Sequence, residues 1–413
     1  MKVIKLFGKN QNGYAMVIVL VLLVFLFPIA STFLYRAVKE STFTRMERRN
    51  KTATTLANNV LVDLMRQFSQ SYYSGHYDSD SLSRNEMFYE VGFSTVTIIA
   101  DSVNHYLYIT ALGKYGKDVD NPLSSKRLYA VIQFISDLTT HNFWCNTAQS
   151  WGSGVNESGK DRVKGNVSFG GNCTFNGPFI CEGNVTGNSS NRIKSDLYCT
   201  GSFGSVTVDG GKYPYVPEAA WPSIDVSYYN SYYSYKCTSA QTIQFNSDGT
   251  FTVVGSTIIA IPSDGAIIFG QNCNLTVYGT VHGRVTVVAS GTQGSSTQGN
   301  IYITNNLNYA NGTNNASNAD SIAILAHNYI YFNKTGSPHY IHGATFSQYR
   351  TVKNGSSPSS KKALYFYGTM IVNQGVALSS GYNPRYYNFD TELSKYSPPG
   401  LPEKPCLVTW HLK

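Results

Sequence analysis

The residues of this sequence that could do chemistry are dispersed rather than gathered. Cleaving a glycosidic bond needs two carboxylates flanking a cleft, about 5–10 Å apart. Asp209, Asp225, Asp248, Asp264, Asp320 and Asp390 are the candidates, and most stand beside Gly, Ser or Asn. In that setting an aspartate supports a turn through its own backbone, and no two of the six fall on neighbouring strands of a readable repeat. His339 and His342 lie three apart with no further carboxylate or histidine near them, which is too few donors for a metal. His282 beside Gly283, and His327 before Asn328, are expected to face solvent at strand edges. Serine is plentiful, but no G-x-S-x-G elbow occurs between a strand and a helix. The cysteines are Cys145, Cys173, Cys181, Cys199, Cys237, Cys273 and Cys406, and none forms a CxxC pair. Alternation puts several of them inside a β structure, where a thiol behaves as a small apolar group. Free buried thiols are therefore favoured over disulfides, and the redox compartment stays open. The expectation is a chain with no catalytic residue, no metal and no cofactor.

The composition says what must carry these residues. The chain has 413 residues, enough for two to four structural units at about 100–200 residues each. Charged residues make up 14%, against about 25% in an ordinary soluble domain. Tyr (31) and Gly (36) are abundant, and the Asn, Ser and Thr background is heavy, which suits β structure. A 42% hydrophobic content excludes disorder, and the glycines are far from the one in three that collagen needs. The net charge of +8 is spread thinly beyond residue 60, so no nucleic-acid partner is expected.

The N-terminus is the most informative segment. Lys2, Lys5 and Lys9 precede Asn10 to Gly13, and no charge then occurs until Arg36. The stretch from Tyr14 through Ile18 and Pro28 to Tyr35 exceeds the roughly 20 residues that cross a bilayer as helix. It is too long for a secretory signal, and Pro28-Ile29-Ala30 is a poor cleavage box, so an uncleaved anchor in lipid is favoured. From Arg36 to about Tyr72 there is no Gly or Pro. Met46, Ala53, Ala57, Val60, Leu61, Leu64 and Phe68 recur at helical spacing. One long helix is predicted over 14–73: a membrane span with an amphipathic extension.

Beyond a polar stretch at 74–84, GFSTVTIIA, HYLYITALG and RLYAVIQFI read as strands of a small sheet over 85–140. Then Gly165, Gly171, Gly177 and Gly183 fall six apart. Val167 and Phe169, Cys173 and Phe175, Phe179 and Cys181, and Val185 fill the second and fourth places after them. Short repeats of this kind mark a parallel β-helix, in which two residues of each short strand point inward and Gly permits the corner. A second-residue alternation from Ile267 and Phe269 through Leu275, Val277, Val285 and Val287 extends the solenoid. It continues through Ile301, Ile303, Ile322, Ile324, Ile330 and Phe332. Tyr213 to Ser223, with its prolines, reads as an insertion. The fold class is mainly β with a long N-terminal α-helix: helix plus small sheet, a parallel β-solenoid over 141–385, and a Pro-rich closing segment over 386–413. The run YYNSYYSYK marks Tyr232 and Tyr233 as a candidate contact surface for a protein or for surface glycans, or else as cover for a solenoid flank.

A basic leader ending in Gly13, then Tyr14 and Ala-Met-Val-Ile-Val-Leu, resembles type IV pilin-like proteins, most of all the PilX-type minor pilin N-terminus. The resemblance implies cleavage by a prepilin peptidase between Gly13 and Tyr14, methylation of the new N-terminus, and contact with other pilin-like subunits and their assembly machinery. Pilins usually carry Glu five residues after the cut, and here that residue is Ile18. A subunit without it would bury a neighbour's amine unpaired, which argues against a major pilin and fits a tip, priming or non-filament role. The succession GRVTVVAS, GNIYITNNLNYA, DSIAILAHNYIYF, IHGATF, GTMIVNQG and YYNFDTELSKYSPPGLP resembles bacterial envelope proteins that join such N-termini to a domain of unknown function. The basic residues after the span outnumber those before it, which by the positive-inside rule would put the body in the cytoplasm. The pilin-like leader and the body composition favour a single-pass protein with its body outside, at the cell surface or in a pilus. The expected function is a minor pilin or pseudopilin-like structural component. The alternative is a membrane-tethered β-helix that acts as a glycan-binding adhesin or a polysaccharide-active enzyme.

Overall fold

The computed structural model describes residues 11–68, 72–73, 84–88, 92–101, 106–118, 120–313, 320–334, 338–355 and 361–412. Most of the basic leader and the polar stretch at 74–83 lie outside them. Helix α1 (Gln11–Phe68) is continuous through Pro28 and, at 1.5 Å per residue, spans about 87 Å. Its two halves differ. Leu20 through Tyr35 is apolar and exposed, whereas Ala53, Leu56, Ala57, Val60, Leu61 and Leu64 are buried. Met46, expected on the buried stripe, is exposed because the packed stretch starts only at Ala53.

That stripe lies on an antiparallel sheet. Its strands run in the order 72–73, Pro402–Leu412, Ser124–Ile135, Tyr106–Tyr115, Gly92–Asp101 and Arg84–Phe88. Val96, Ile98, Leu107, Ile109, Leu128, Ile132 and Phe134 form the shared core with the helix. At Gly113 the two backbones touch: a Cβ there would sit 2.0 Å from the Ala53 carbonyl oxygen and 2.7 Å from the Ala57 nitrogen. The strand Pro402–Leu412 belongs to the chain's last segment and pairs along Ser124–Ile135.

The rest is a column of mostly parallel strands with three faces. Gln149, Val167 and Val185 are in register on one face, Asn156, Thr174 and Arg192 on the next, and Arg162, Ile180 and Tyr198 on the third. One coil is therefore three six-residue units, which is the spacing of the glycines. Gly177 stacks directly over Gly159, where a Cβ would come within 1.7 Å of the carbonyl oxygen below. The side chains named for the repeat all point into the column core, with Trp151 and Val163. Later coils are longer, with loops between strands, but keep the same faces: Leu275, Ile301 and Ile330 stack, as do Val352 and Val376. One phase differs from the sequence reading. Ala266 and Ile268 point into the column, while Ile267 and Phe269 point outward into a second apolar cluster. The alternation shifts by one between Gly270 and Cys273, where Asn272 takes a positive φ of 52°.

The order of coils along the column is not the order of the chain. Met370–Val372 pairs in parallel with Phe143–Cys145, and Arg385–Asn388 with Val155–Ser158. The last coil of the later segment thus stacks on the first coil of the earlier one. The chain enters at mid-height, winds to one end at Lys212–Tyr213, crosses back outside, and starts again at the other end at Tyr235–Cys237. The returning strap, residues 214–234, lies on the outward apolar stripe of the third face, made by Phe269, Val288, Leu325, Phe346 and Ile371. Trp221 meets Trp144 and Phe346 at 5.5 and 5.6 Å between ring centroids. The Ile224 N–H donates to Gln348 Oε1 at 2.9 Å. Helix α2 (Val226–Ser231), capped by Asp225, brings the Tyr229 hydroxyl to the Gly400 carbonyl at 2.8 Å. Strands covered on both faces read as unbroken apolar runs, and every residue of Ser321–Ala326 is buried.

Candidate functional site

Among the described residues, Leu20 to Tyr35 of α1 is a long run of exposed apolar side chains. Phe25, Phe27, Phe33 and Leu34 are each about two-thirds exposed or more, and the segment is long and apolar enough to cross a membrane. Gly13, Tyr14 and Ile18 lie within the helix, and Pro28 and Tyr35 stand on the exposed stretch, with Lys39 Nζ 5.1 Å from the Tyr35 ring centroid. Ser31 and Thr32 hydroxyls donate back to the Pro28 carbonyl at 2.9 and 2.7 Å, so these polar groups are satisfied within the helix.

The tyrosine run divides. Tyr228 and Tyr229, on the strap, are buried against the column, while Tyr232 and Tyr233, just after α2, are 51% and 43% exposed. Tyr232 leans on Tyr228 at 4.9 Å, and Lys236 Nζ sits 5.5 Å from the Tyr233 ring.

The six aspartates singled out from sequence do not converge. Asp209 pairs with exposed Arg192, Asp225 and Asp390 cap helices, and Asp248 closes a turn onto Thr250. Asp264 offers its backbone carbonyl to Arg284. Asp320 is buried and accepts from the Gly283 N–H at 2.7 Å and the Asn311 N–H at 3.1 Å, with His282 Nδ1 3.1 Å away. His327, expected in solvent, is buried, with Nδ1 2.9 Å from the Gly291 carbonyl. His339 is buried between the Tyr382 hydroxyl (2.8 Å) and the Asn305 carbonyl (2.9 Å), and burial lowers its pKa to about 4. The Nδ1 of His342 instead accepts from the Tyr309 N–H, at 3.1 Å. Among the described residues no three His, Cys, Asp or Glu gather as metal ligands. The thiols of Cys145, Cys173, Cys181, Cys199, Cys237 and Cys273 are free and buried.

A polar cluster that sequence reasoning missed lies inside the column where its two segments meet. Glu157 and Asp161 are both buried, and Asn142 Nδ2 donates to each at 3.4 Å and to the Tyr387 carbonyl at the same distance. Arg385 and Tyr387 project inward from the neighbouring coil. Desolvation, then repulsion from Asp161, holds the Glu157 pKa well above the usual range, and desolvation raises Asp161 to about 7. The signal was present: carried back one coil, the six-residue phase places Glu157 beside Val155 on the inward positions. Sealed in the core, the pair meets no substrate.

A groove of about 640 Å³ opens between the strap and the third face. Trp144, Arg162, Lys164 and Glu182 line the column side, and Glu218 and Trp221 the strap side. Arg162 is nearly buried, donates to Glu182 Oε1 at 2.5 Å and stands 5.8 Å from the Trp144 ring.

No family model matches the sequence. No curated protein matches it either. Among solved structures the chain is similar to the competence-associated pilin ComZ from Thermus thermophilus. The two share 11% identity, the alignment covers 88% of this chain and 97% of that one, and the TM-score is 0.38.

Proposed function

We propose that the protein is a minor pilin or pseudopilin-like structural component of a type IV pilus or secretion-type surface apparatus, with its column outside the cytoplasm. One observation carries this reading. One helix packs on a sheet from Ala53 to Leu64 and leaves its apolar stretch from Leu20 to Tyr35 uncovered. About 87 Å of unbroken helix gives a rigid stem. Its bare stretch needs either lipid or the helices of like subunits, and one apolar surface serves for both. Ile18 in place of a carboxylate suits a subunit that meets a neighbour on one side, at a tip or in priming.

The test is the N-terminal mass of the protein from its own cells. A methylated N-terminus at Tyr14 is expected. An intact Met1 or Lys2 start would remove the filament reading and leave a plain anchor. A start near Ser31 would mean a secreted solenoid.

Tyr232 and Tyr233 are the proposed contact surface on the column. Both are exposed, so the double alanine variant is expected to fold with a stability change within about 0.5 kcal/mol and to lower the amount of protein assembled at the surface. Unchanged assembly, measured by quantitative immunoblot of sheared surface fractions, would sink this assignment.

A further inference from the structure

We propose that the groove between the strap and the third face binds a neutral oligosaccharide segment of about two sugar units. Its volume of about 640 Å³ falls in the range of small-ligand sites. Its walls hold the groups that sugar recognition uses. A pyranose presents an apolar C–H face, which stacks on aromatic rings, and a rim of hydroxyls, which bond to planar polar side chains. Trp221 lines this groove and also a second one, of about 190 Å³, that includes Ser136 and Lys404. The indole is held edge-on against Trp144, at 84° between the ring planes. Asn146, Arg162, Glu182 and Thr200 supply donors and acceptors along the column side.

The charges choose the class of sugar. Arg162, Lys164 and Glu182 on the column side and Glu218 on the strap side bring the groove's formal charge to zero. The best-placed cation, Arg162, is already committed to Glu182. An anionic glycan would have to compete with that carboxylate for the guanidinium, and a neutral one would not. The site is also preorganised. Arg162 is pinned between Glu182 and the Trp144 ring, on coils whose strands are fixed by parallel pairing. Little side-chain freedom remains to be lost on binding. The groove exists only because the chain crosses back over its own column, so one wall is coil and the other is strap. The site stands apart from the filament reading, since it does not involve α1.

The experiment uses full-length protein in a zwitterionic detergent that carries no sugar headgroup. Calorimetric titrations are run with lactose, maltose, cellobiose and N,N′-diacetylchitobiose, and with digalacturonate as the anionic counterpart. At least one neutral disaccharide is expected to bind with a Kd of about 1 mM or tighter, the range set by a few hydrogen bonds and one stacked ring. Trp221→Ala is expected to weaken it at least tenfold. Because that change could loosen the strap, Thr200→Trp is the second variant: it adds bulk from an exposed position and is expected to abolish binding while leaving the melting temperature unchanged. No binding by any of the four neutral sugars at 20 mM overturns the proposal. So does binding that Thr200→Trp leaves intact, or binding of digalacturonate alone.

Discussion

Replacing Gly113 with valine pries α1 off its sheet, and the expected loss of stability is about 3 kcal/mol, at the upper end of what overpacking usually costs. The obstacle is not a side chain that could turn aside. A Cβ at this position meets the Ala53 carbonyl oxygen at 2.0 Å and the Ala57 nitrogen at 2.7 Å, both of them helix backbone. Relief requires the helix to rise, and Ala57, Val60, Leu61 and Leu64 must rise with it, since all share one core with Ile109, Leu128 and Ile132. Urea unfolding followed by helical circular dichroism measures the effect, and new protease cleavage between Ala53 and Leu64 locates it. Gly171→Ala in the column is the control. Its Cβ would find only Ser153 Oγ and Ser190 Oγ, both at 3.9 Å, and its backbone is not left-handed. A change within about 0.5 kcal/mol is expected there. If Gly113→Val unfolds at the wild-type midpoint, the helix and the sheet do not form one unit.

The second large effect is a dependence on pH written into the junction of the column. Folding raises the pKa of both Glu157 and Asp161, mainly by desolvation. A carboxyl with a raised folded pKa binds its proton more tightly in the folded state than in the unfolded one. Its contribution is therefore fully present below the unfolded value near 4 and is lost as pH climbs through the folded value, about 7 for Asp161. Stability should fall between pH 6.5 and 8 by an amount on the order of 1 kcal/mol, the part of the Asp161 loss that lies above pH 6.5 at 1.36 kcal/mol per pKa unit. The buried histidines do not confuse this window. Burial lowers His141 to about 3, and His339 and His342 to about 4, so their contribution rises with pH only up to the unfolded value near 6.5 and is level above it. Asp161→Asn keeps the shape and removes the proton. The slope above pH 6.5 should flatten, and the variant should be the more stable protein at pH 8. Denaturant midpoints at pH 6.5, 7.2 and 8 decide it, and parallel slopes for the two proteins would show that the pair does not titrate there.

How far the fold could be read in advance depended on how local its cause was. The helix and the six-residue units of the coils were legible because their signals repeat within a few residues. The glycines fall six apart because stacked corners bring backbones such as Gly159 and Gly177 into contact. Ile267 and Phe269 misled because the alternation rule assumes one wet face, and here the strap and Leu401 dry the outer face as well. The order of the coils left no local trace. Parallel in-register stacking looks the same whichever coil lies beneath, and the choice rests on pairs such as Glu157 with Tyr387, far apart in sequence. For the same reason Glu157 and Asp161 do not stand out as a pair in the sequence. Their meaning comes from Arg385 and Tyr387, which reach them only across that junction. Likewise nothing in Trp144, Arg162 or Trp221 taken singly announces a groove, because the strap that closes it is an insertion without periodicity.

The mid-height entry and exit also decide how the molecule carries tension. A pull along α1 passes into the small sheet and leaves it by two strands side by side, Ser124–Ile135 and Pro402–Leu412, which are hydrogen-bonded along their length. From there it reaches the column by two separate links, 136–142 and 389–401, each ending at the central coils. The first link is further clamped to the last strand and to the column. Lys404 pairs with Asp137, and the Thr369 hydroxyl donates to the Leu138 carbonyl at 2.6 Å. Force is thus shared between two covalent paths and delivered to the coils that have neighbours both above and below. The two terminal stretches, around Tyr213 at one end and Tyr235 at the other, lie off the line of pull. In an end-anchored solenoid the first coil would take the whole load and peel; here the body hangs from its waist, and its free ends stay slack.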